Sequence, residues 1–305
     1  MRSHPAIPAL VLSAILTPTV VSAEVRNFEH RFDALPGATL VLDVSFHEVR
    51  VTARPGAAVE VEVELESSSA SRLEAYVPRF EASEGGLLVR SSAQERRWFG
   101  GPRIRGRVTV AMPPGMGLRV DGSSGAVKAA GDFGAASLVF DVSSAPVTVD
   151  GAADEIVVDG SSGPVRLRLD RPVRRVSVDV SSGSVVVEGP VSDLVVDTSS
   201  GSITARGLVG RADLDSSSGA ISAHWAAIPP PATAVRAEAS SGGVQLSFPR
   251  GAVLVGLVDT SSGRITSDFP AASHDRRDRL VLAGGPEAVQ VRVDTSSGSV
   301  RLTAH

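Results

Sequence analysis

From residue 118 onward, apolar residues come in pairs two apart, and each pair leads into an acid. Leu118 and Val120, Leu138 and Phe140, Ile156 and Val158, Val176 and Val178, and Leu194 and Val196 stand three and one residues before Asp121, Asp141, Asp159, Asp179 and Asp197. A second apolar set follows six residues after each acid: Val127, Val147, Val165, Val185, Ile203, Ile221, Val244, Ile265 and Val300. Alternation with period two on both sides of a short polar interval predicts two half-buried strands joined by a sharp corner. The interval is nearly constant. DTSSG occurs at 197–201, 259–263 and 294–298, and nine related copies start at 121, 141, 159, 179, 197, 215, 238, 259 and 294. A fainter copy, DVSFHEVRV, starts at Asp43.

Successive separations are 20, 18, 20, 18, 18, 23, 21 and 35 residues. Such a unit is too short for a propeller blade or a helical-repeat pair, and fits one turn of a parallel β-solenoid. No turn can bury its apolar face alone, whereas stacked turns share one core. The expected fold is therefore all-β: a right-handed parallel β-solenoid of about nine rungs with an N-terminal β-hairpin cap. The structural corners are Asp121 and Gly125, Asp159 and Gly163, Asp179 and Gly183, Asp197 and Gly201, Asp215 and Gly219, Asp259 and Gly263, and Asp294 and Gly298. At these corners glycine is expected to supply φ > 0. The acid is expected to accept a local backbone hydrogen bond, and the serine hydroxyls to bond along the rod.

The chain divides into three parts on this reading. Residues 1–23 carry an apolar run, AIPALVLSAILTPTVV at 6–21, followed by small residues, as in a secretory signal peptide. Residues 24–115 hold less regular strand-like runs and form a β cap with a first degenerate rung. Residues 116–305 form the repeat solenoid. Two intervals break the pattern: 94–105, where Arg96, Arg97, Trp98 and Phe99 are adjacent, and 268–287, which contains HDRRDR. The separation of 35 residues there would hold a rung without the Ser-Ser-Gly corner or a hairpin around Gly284-Gly285.

Composition sharpens this picture in three ways. Aromatics are only 4% of the chain, which suits a narrow interior filled by Val, Leu, Ile and Ala. There is no cysteine, so stability must come from packing and backbone pairing. The net charge of −4 and the lack of a basic tract argue against nucleic acid as a partner. After the leader, no segment is apolar enough to span a membrane.

The Ser-Ser-Gly motif was weighed as chemistry. A serine nucleophile needs a base within reach and usually a G-x-S-x-G elbow, which is absent. The histidines have no register to the serines. Calcium takes six to eight oxygens, more than one carboxylate and hydroxyls per rung readily supply. A polysaccharide-active β-helix needs clustered acids or a base on one face with aromatics for sugar stacking, whereas the outward strand positions here are mixed Thr, Ser, Arg and Val. The expectation is no catalytic residue, no metal and no cofactor, with Arg96, Arg97, Trp98 and Phe99 as the partner contact.

The opening FDALPGATLVLDVSFHEVRVTA at 32–53, the step RVTVAMPPGMGLRVDGSSG at 107–125, the serial DxSSGxVxV units and the closing VRVDTSSGSVRL at 291–302 resemble a bacterial envelope family known as the putative-adhesin domain. The resemblance covers nearly all of the chain after the leader. It implies a right-handed parallel β-solenoid, exported to the periplasm or cell surface, with no established catalytic residues. The expected function is that of a non-enzymatic envelope scaffold or adhesin-like protein contacting an envelope protein or glycan. A polysaccharide-active β-helix enzyme and a periplasmic sensor module for envelope stress are the alternatives.

Overall fold

The computed structural model describes residues 23–35, 37–74, 76–83, 86–91, 104–231, 233–275 and 278–305. Each repeat forms the two strands that its alternation predicts. Gly117–Gly122 precedes its corner and Val127–Asp132 follows it; the next units are Ser137–Val142 with Val147–Ala152, and Glu155–Ser162 with Val165–Leu169. All the strands before the corners stack into one sheet of 14 strands, and those after the corners into a second of 13. Neighbouring rungs pair in parallel, so that Asp121, Asp141, Asp159, Asp179, Asp197, Asp215 and Glu238 stand in one row. A slip of one residue would turn every inward side chain outward, so burial of the residues at −3 and −1 fixes this register. Leu118, Leu138, Ile156, Val176 and Leu194 are all fully buried.

The two ends depart from sequence order. At the N-terminal end, Thr39–Val44 and Glu48–Ala53 lie directly on Gly117–Gly122 and Val127–Asp132, with Asp43 aligned to Asp121. Gly86–Ser91 and Arg105–Met112 form the next layer out, again parallel. Closure is antiparallel. Ala58–Ser67 pairs with Arg105–Met112, Glu24–Asp33 pairs with Ala58–Ser67, and Arg79–Ser83 pairs with Gly86–Ser91. The stretch before residue 116 thus supplies two rung-like layers as well as closing strands.

At the other end, the last repeat in the chain is the second-to-last in space. Val289–Thr295 and Val300–Ala304 insert between Ala234–Ala239 with Val244–Phe248 and Leu254–Thr260 with Ile265–Ser267. The row of acids therefore runs Glu238, Asp294, Asp259. The separation of 35 residues holds a hairpin, Ala271–Asp275 with Arg279–Ala283, which closes antiparallel on Leu254–Thr260. Gly284-Gly285 is not its tip; it follows the hairpin and leads the chain back between the rungs.

The interior is not closed to rings, as composition suggested. Trp225, Phe133, Phe140 and Phe248 are the largest fully buried side chains. Trp225 stacks on Phe248 with centroids 4.5 Å apart, and its Nε1–H donates to the Gly210 carbonyl at 2.8 Å. The indole lies where the ladder shifts register, between Arg206 and Leu208. A buried indole N–H requires such an acceptor. Among the described residues, no helix is long and apolar enough to cross a membrane.

Candidate functional site: the Ser-Ser-Gly edge

The corners stack so closely that their backbones touch. A Cβ built on Gly183, Gly201, Gly219, Gly242 or Gly298 would collide with the glycine carbonyl oxygen of the adjacent corner. On Gly125 it would meet the carbonyl of His47, on Gly163 that of Ala145, and on Gly263 that of Gly298. Only Gly163 among the repeat glycines has a left-handed φ, 139°. Close approach, not backbone handedness, is thus the reason for glycine at most corners.

The corner hydrogen bonds come from a residue that the sequence reading passed over. The side chain one after the acid points inward, where Thr198, Ser216, Thr260 and Thr295 are buried. Their hydroxyls accept the N–H of Gly201, Gly219, Gly263 and Gly298 at 2.9–3.1 Å. Ser216, Thr260 and Thr295 also donate to the carbonyls of Gly201, Gly298 and Gly242 in the next corner. The hydroxyl ladder therefore runs inside the edge. In the Ser-Ser pairs it is mainly the backbone that links rungs, Ser144 N–H to the Ser123 carbonyl at 2.7 Å, Ser162 to Ser143 at 2.8 Å and Ser218 to Ser199 at 3.0 Å, while the Ser262 hydroxyl donates to the Ser296 carbonyl at 3.2 Å.

With the hydroxyl closing the corner, the acids face outward. Arginines meet them toward the ends of the row: Arg90 with Asp43 at 2.7 Å, Arg119 with Asp121 at 3.0 Å and Asp141 at 3.5 Å, Arg236 with Glu238 at 2.7 Å, and Arg279 with Asp259 at 3.9 Å. Among the described residues, Asp159, Asp179 and Asp197 make no ion pair. Partial burial raises the Asp215 carboxyl above its ordinary range, and Asp197 and Glu238 on either side add to this. Two other rows behave differently. Glu155, Arg175, Asp193 and Arg211 alternate in sign at 3.6–3.9 Å, as do Asp150, Arg168, Glu188 and Arg206 at 3.0–3.9 Å. Such exposed pairs add little stability each, but they neutralise their own rows. The centre of the Ser-Ser-Gly edge stays negative.

One corner is built from different parts. His47 stands where every other rung but that of Ala145 has glycine, and its ring is buried against Phe46 at 4.4 Å and Tyr76 at 6.0 Å. Gly106 leaves it room, since a Cβ there would run into the imidazole. Nε2 bonds the Ser91 hydroxyl at 3.0 Å and Tyr76 Oη–H donates to the Ser91 carbonyl at 2.7 Å, while Nδ1 has no partner. Burial lowers the His47 imidazole to about 4 and raises the Tyr76 phenol to about 12. Among the described residues, this serine–histidine contact has no acid to orient the imidazole, and both side chains are buried. It has the distance of a nucleophile–base pair without the access or the third group that catalysis needs. Aligning DVSFHEV at 43–49 with DGSSGAV at 121–127 puts the histidine in the glycine column, which is the signal that marked it.

Arg96, Arg97, Trp98 and Phe99 lie outside the described residues. Among the described residues there is no group of three or more His, Cys, Asp and Glu side chains suited to hold a metal.

Several solved structures resemble this one at low identity. A putative adhesin from Bacteroides fragilis is 11% identical over 91% of this chain and 97% of its own, with a TM-score of 0.44. A putative adhesin from Parabacteroides merdae is 11% identical over 91% and 96%, with a TM-score of 0.43. A putative lipid binding protein from Parabacteroides distasonis is 14% identical over 93% and 96%, with a TM-score of 0.42. No curated protein matches the chain. The Toastrack DUF4097 family model matches residues 39–303, from the rung of Asp43 to the inserted last strand, and the chain belongs to that family.

Proposed function

We propose that this protein is a non-enzymatic, exported cell-envelope rod that binds an envelope protein or glycan along its Ser-Ser-Gly edge. One observation carries the reading: in-register stacking repeats a single surface row over many rungs, and its centre, Asp159 to Asp197, keeps its charge while neighbouring rows cancel theirs. Repeated identical groups spaced ~4.8 Å apart suit an extended contact better than a pocketed reaction. The leader-like 1–23 supports export to the periplasm or surface. Arg96, Arg97, Trp98 and Phe99, adjacent in the sequence, are proposed as a further basic and aromatic contact. The names adhesin and lipid binding protein belong to the structural neighbours and accord with a binding role. The corner glycines serve architecture in this reading, and the acids present the contact.

Retention of envelope extract on immobilised protein tests it. Replacing Asp159, Asp179 and Asp197 together by Asn is expected to reduce retention with the melting temperature unchanged. Equal retention would overturn the edge as the contact. Turnover of a cell-wall or capsular polysaccharide by pure protein would make it an enzyme instead.

A further inference from the structure

The ends of the rod are unequal. At the C-terminal end one sheet stops at Ile265–Ser267, a three-residue edge followed by Pro270, and the other at Ala271–Asp275, whose pairing is interrupted between Ala271 and Ser273. Short, proline-flanked or irregular edges resist further pairing. At the N-terminal end, Glu24–Asp33 is ten residues long, pairs with Ala58–Ser67 without a break, and is the last strand of its sheet. Among the described residues, its outer row of N–H and C=O groups has no strand beside it. A head-to-tail contact would set ten residues against three, whereas two copies of the long edge match each other.

Face alternation limits how two such strands can meet. Phe28 packs against the core and Phe32 is buried, while Glu29 and Arg31 point outward. A two-fold axis normal to the sheet keeps inward faces inward, so the two facing residues must both be odd-numbered or both even-numbered. Centring on Glu29 sets two like charges opposite each other. Centring on Phe28 sets Glu29 opposite Asn27. Centring on His30 sets Glu29 opposite the partner's Arg31, and Arg31 opposite the partner's Glu29, on the outer face. On the inner face it sets Phe28 opposite the partner's Phe32, twice. Directly opposed unlike charges and aromatic pairs are the favourable cross-strand combinations. Among the described residues, Glu29 has no ion pair, and the highly exposed Arg31 makes a surface pair with Glu60 alone.

We propose that Glu24–Asp33 is a self-recognition edge, pairing antiparallel about His30 with the same strand of a second copy to give a closed, N-end to N-end dimer. Sedimentation velocity of the protein without its 1–23 leader is expected to show a dimer at micromolar concentration. Glu29→Arg sets like charges opposite at both outer positions and should weaken the dimer roughly tenfold or more. Arg31→Glu should do the same, and mixing the two variants should restore a heterodimer, because the altered edges complement each other. Circular dichroism checks that each variant is folded. If Arg31→Glu loosens its own strand through Glu60, amide exchange decides: protection over 27–33 in the unaltered protein should rise with concentration. A monomer at every concentration, a dimer indifferent to both substitutions, or 27–33 exchange independent of concentration would overturn the proposal. In the first case the charges of this strand serve to blunt its edge.

Discussion

The regular rungs from Gly117 to Trp225 and the two ends of the rod are made of the same strands, yet they are held by different rules. In the middle, each rung lies beside its predecessor in the chain, and the corner repeats one device: glycine against the neighbouring carbonyl, with a hydroxyl beneath it where Thr or Ser follows the acid. At the ends the chain doubles back. The layer of Gly86–Ser91 lies outside that of Thr39–Val44, and Val289–Thr295 slips inside Leu254–Thr260. Local repetition fixes what a rung looks like. It does not fix where a rung goes, because the apolar face of one rung accepts that of any other.

The sharpest way to break this comparison is to end the chain after Gly285. If the inserted rung bridges its neighbours, Leu254–Thr260 and Ile265–Ser267 lose their ladder partners on the rod and both layers lose amide protection. Hydrogen exchange that leaves 254–267 protected would contradict the insertion. Next in size, Gly219→Ala forces a methyl into the Gly201 carbonyl and should cost about 4 kcal/mol in chemical unfolding. Gly285, which has open space around it, should accept alanine with little change.

The odd corner gives a different response. His47 titrates near 4 when folded, against 6.5 in the open chain. Its neutral form is favoured by folding, so that stability is full above pH 6.5 and falls as the pH drops from there toward 4, by about 3 kcal/mol in total. Urea midpoints measured across that window should show the loss, and His47→Leu should flatten it. Thr295→Val strands the Gly298 N–H and the Gly242 carbonyl and should cost about 1–3 kcal/mol. Smallest of all, Asp197→Asn on the exposed row should stay within about 0.5 kcal/mol by thermal melting.

The sequence carried the rungs well, because burial and alternation act on the same residues: Leu118, Val120 and Val127 point inward wherever their rung is placed. Other features were out of reach for physical reasons. The glycine requirement comes from a contact between residues 18 or more apart, as with Gly183 and Gly201, which a local turn argument about φ cannot register. The inward hydroxyl column was visible as Thr198, Ser216, Thr260 and Thr295, but its orientation depends on which side of the corner the acid takes. Trp225 fits because Gly210 offers a carbonyl from a neighbouring rung, a pairing that composition does not report. At the edge, the acids were legible as a row, whereas the arginines that neutralise only its ends come from different distances along the chain.

The inserted rung also sets an order of assembly. A chain emerging from its N-terminus produces Leu254–Thr260 and its hairpin before Val289–Thr295 exists, so that these strands can pair among themselves while their native neighbour in the ladder is still missing. Only when the last residues arrive can the gap be filled, and filling it joins the hairpin to everything made earlier. Val289–Thr295 and Val300–Ala304 act as a key sliding between two halves of a lock, and the rod stays open at that end until they are made.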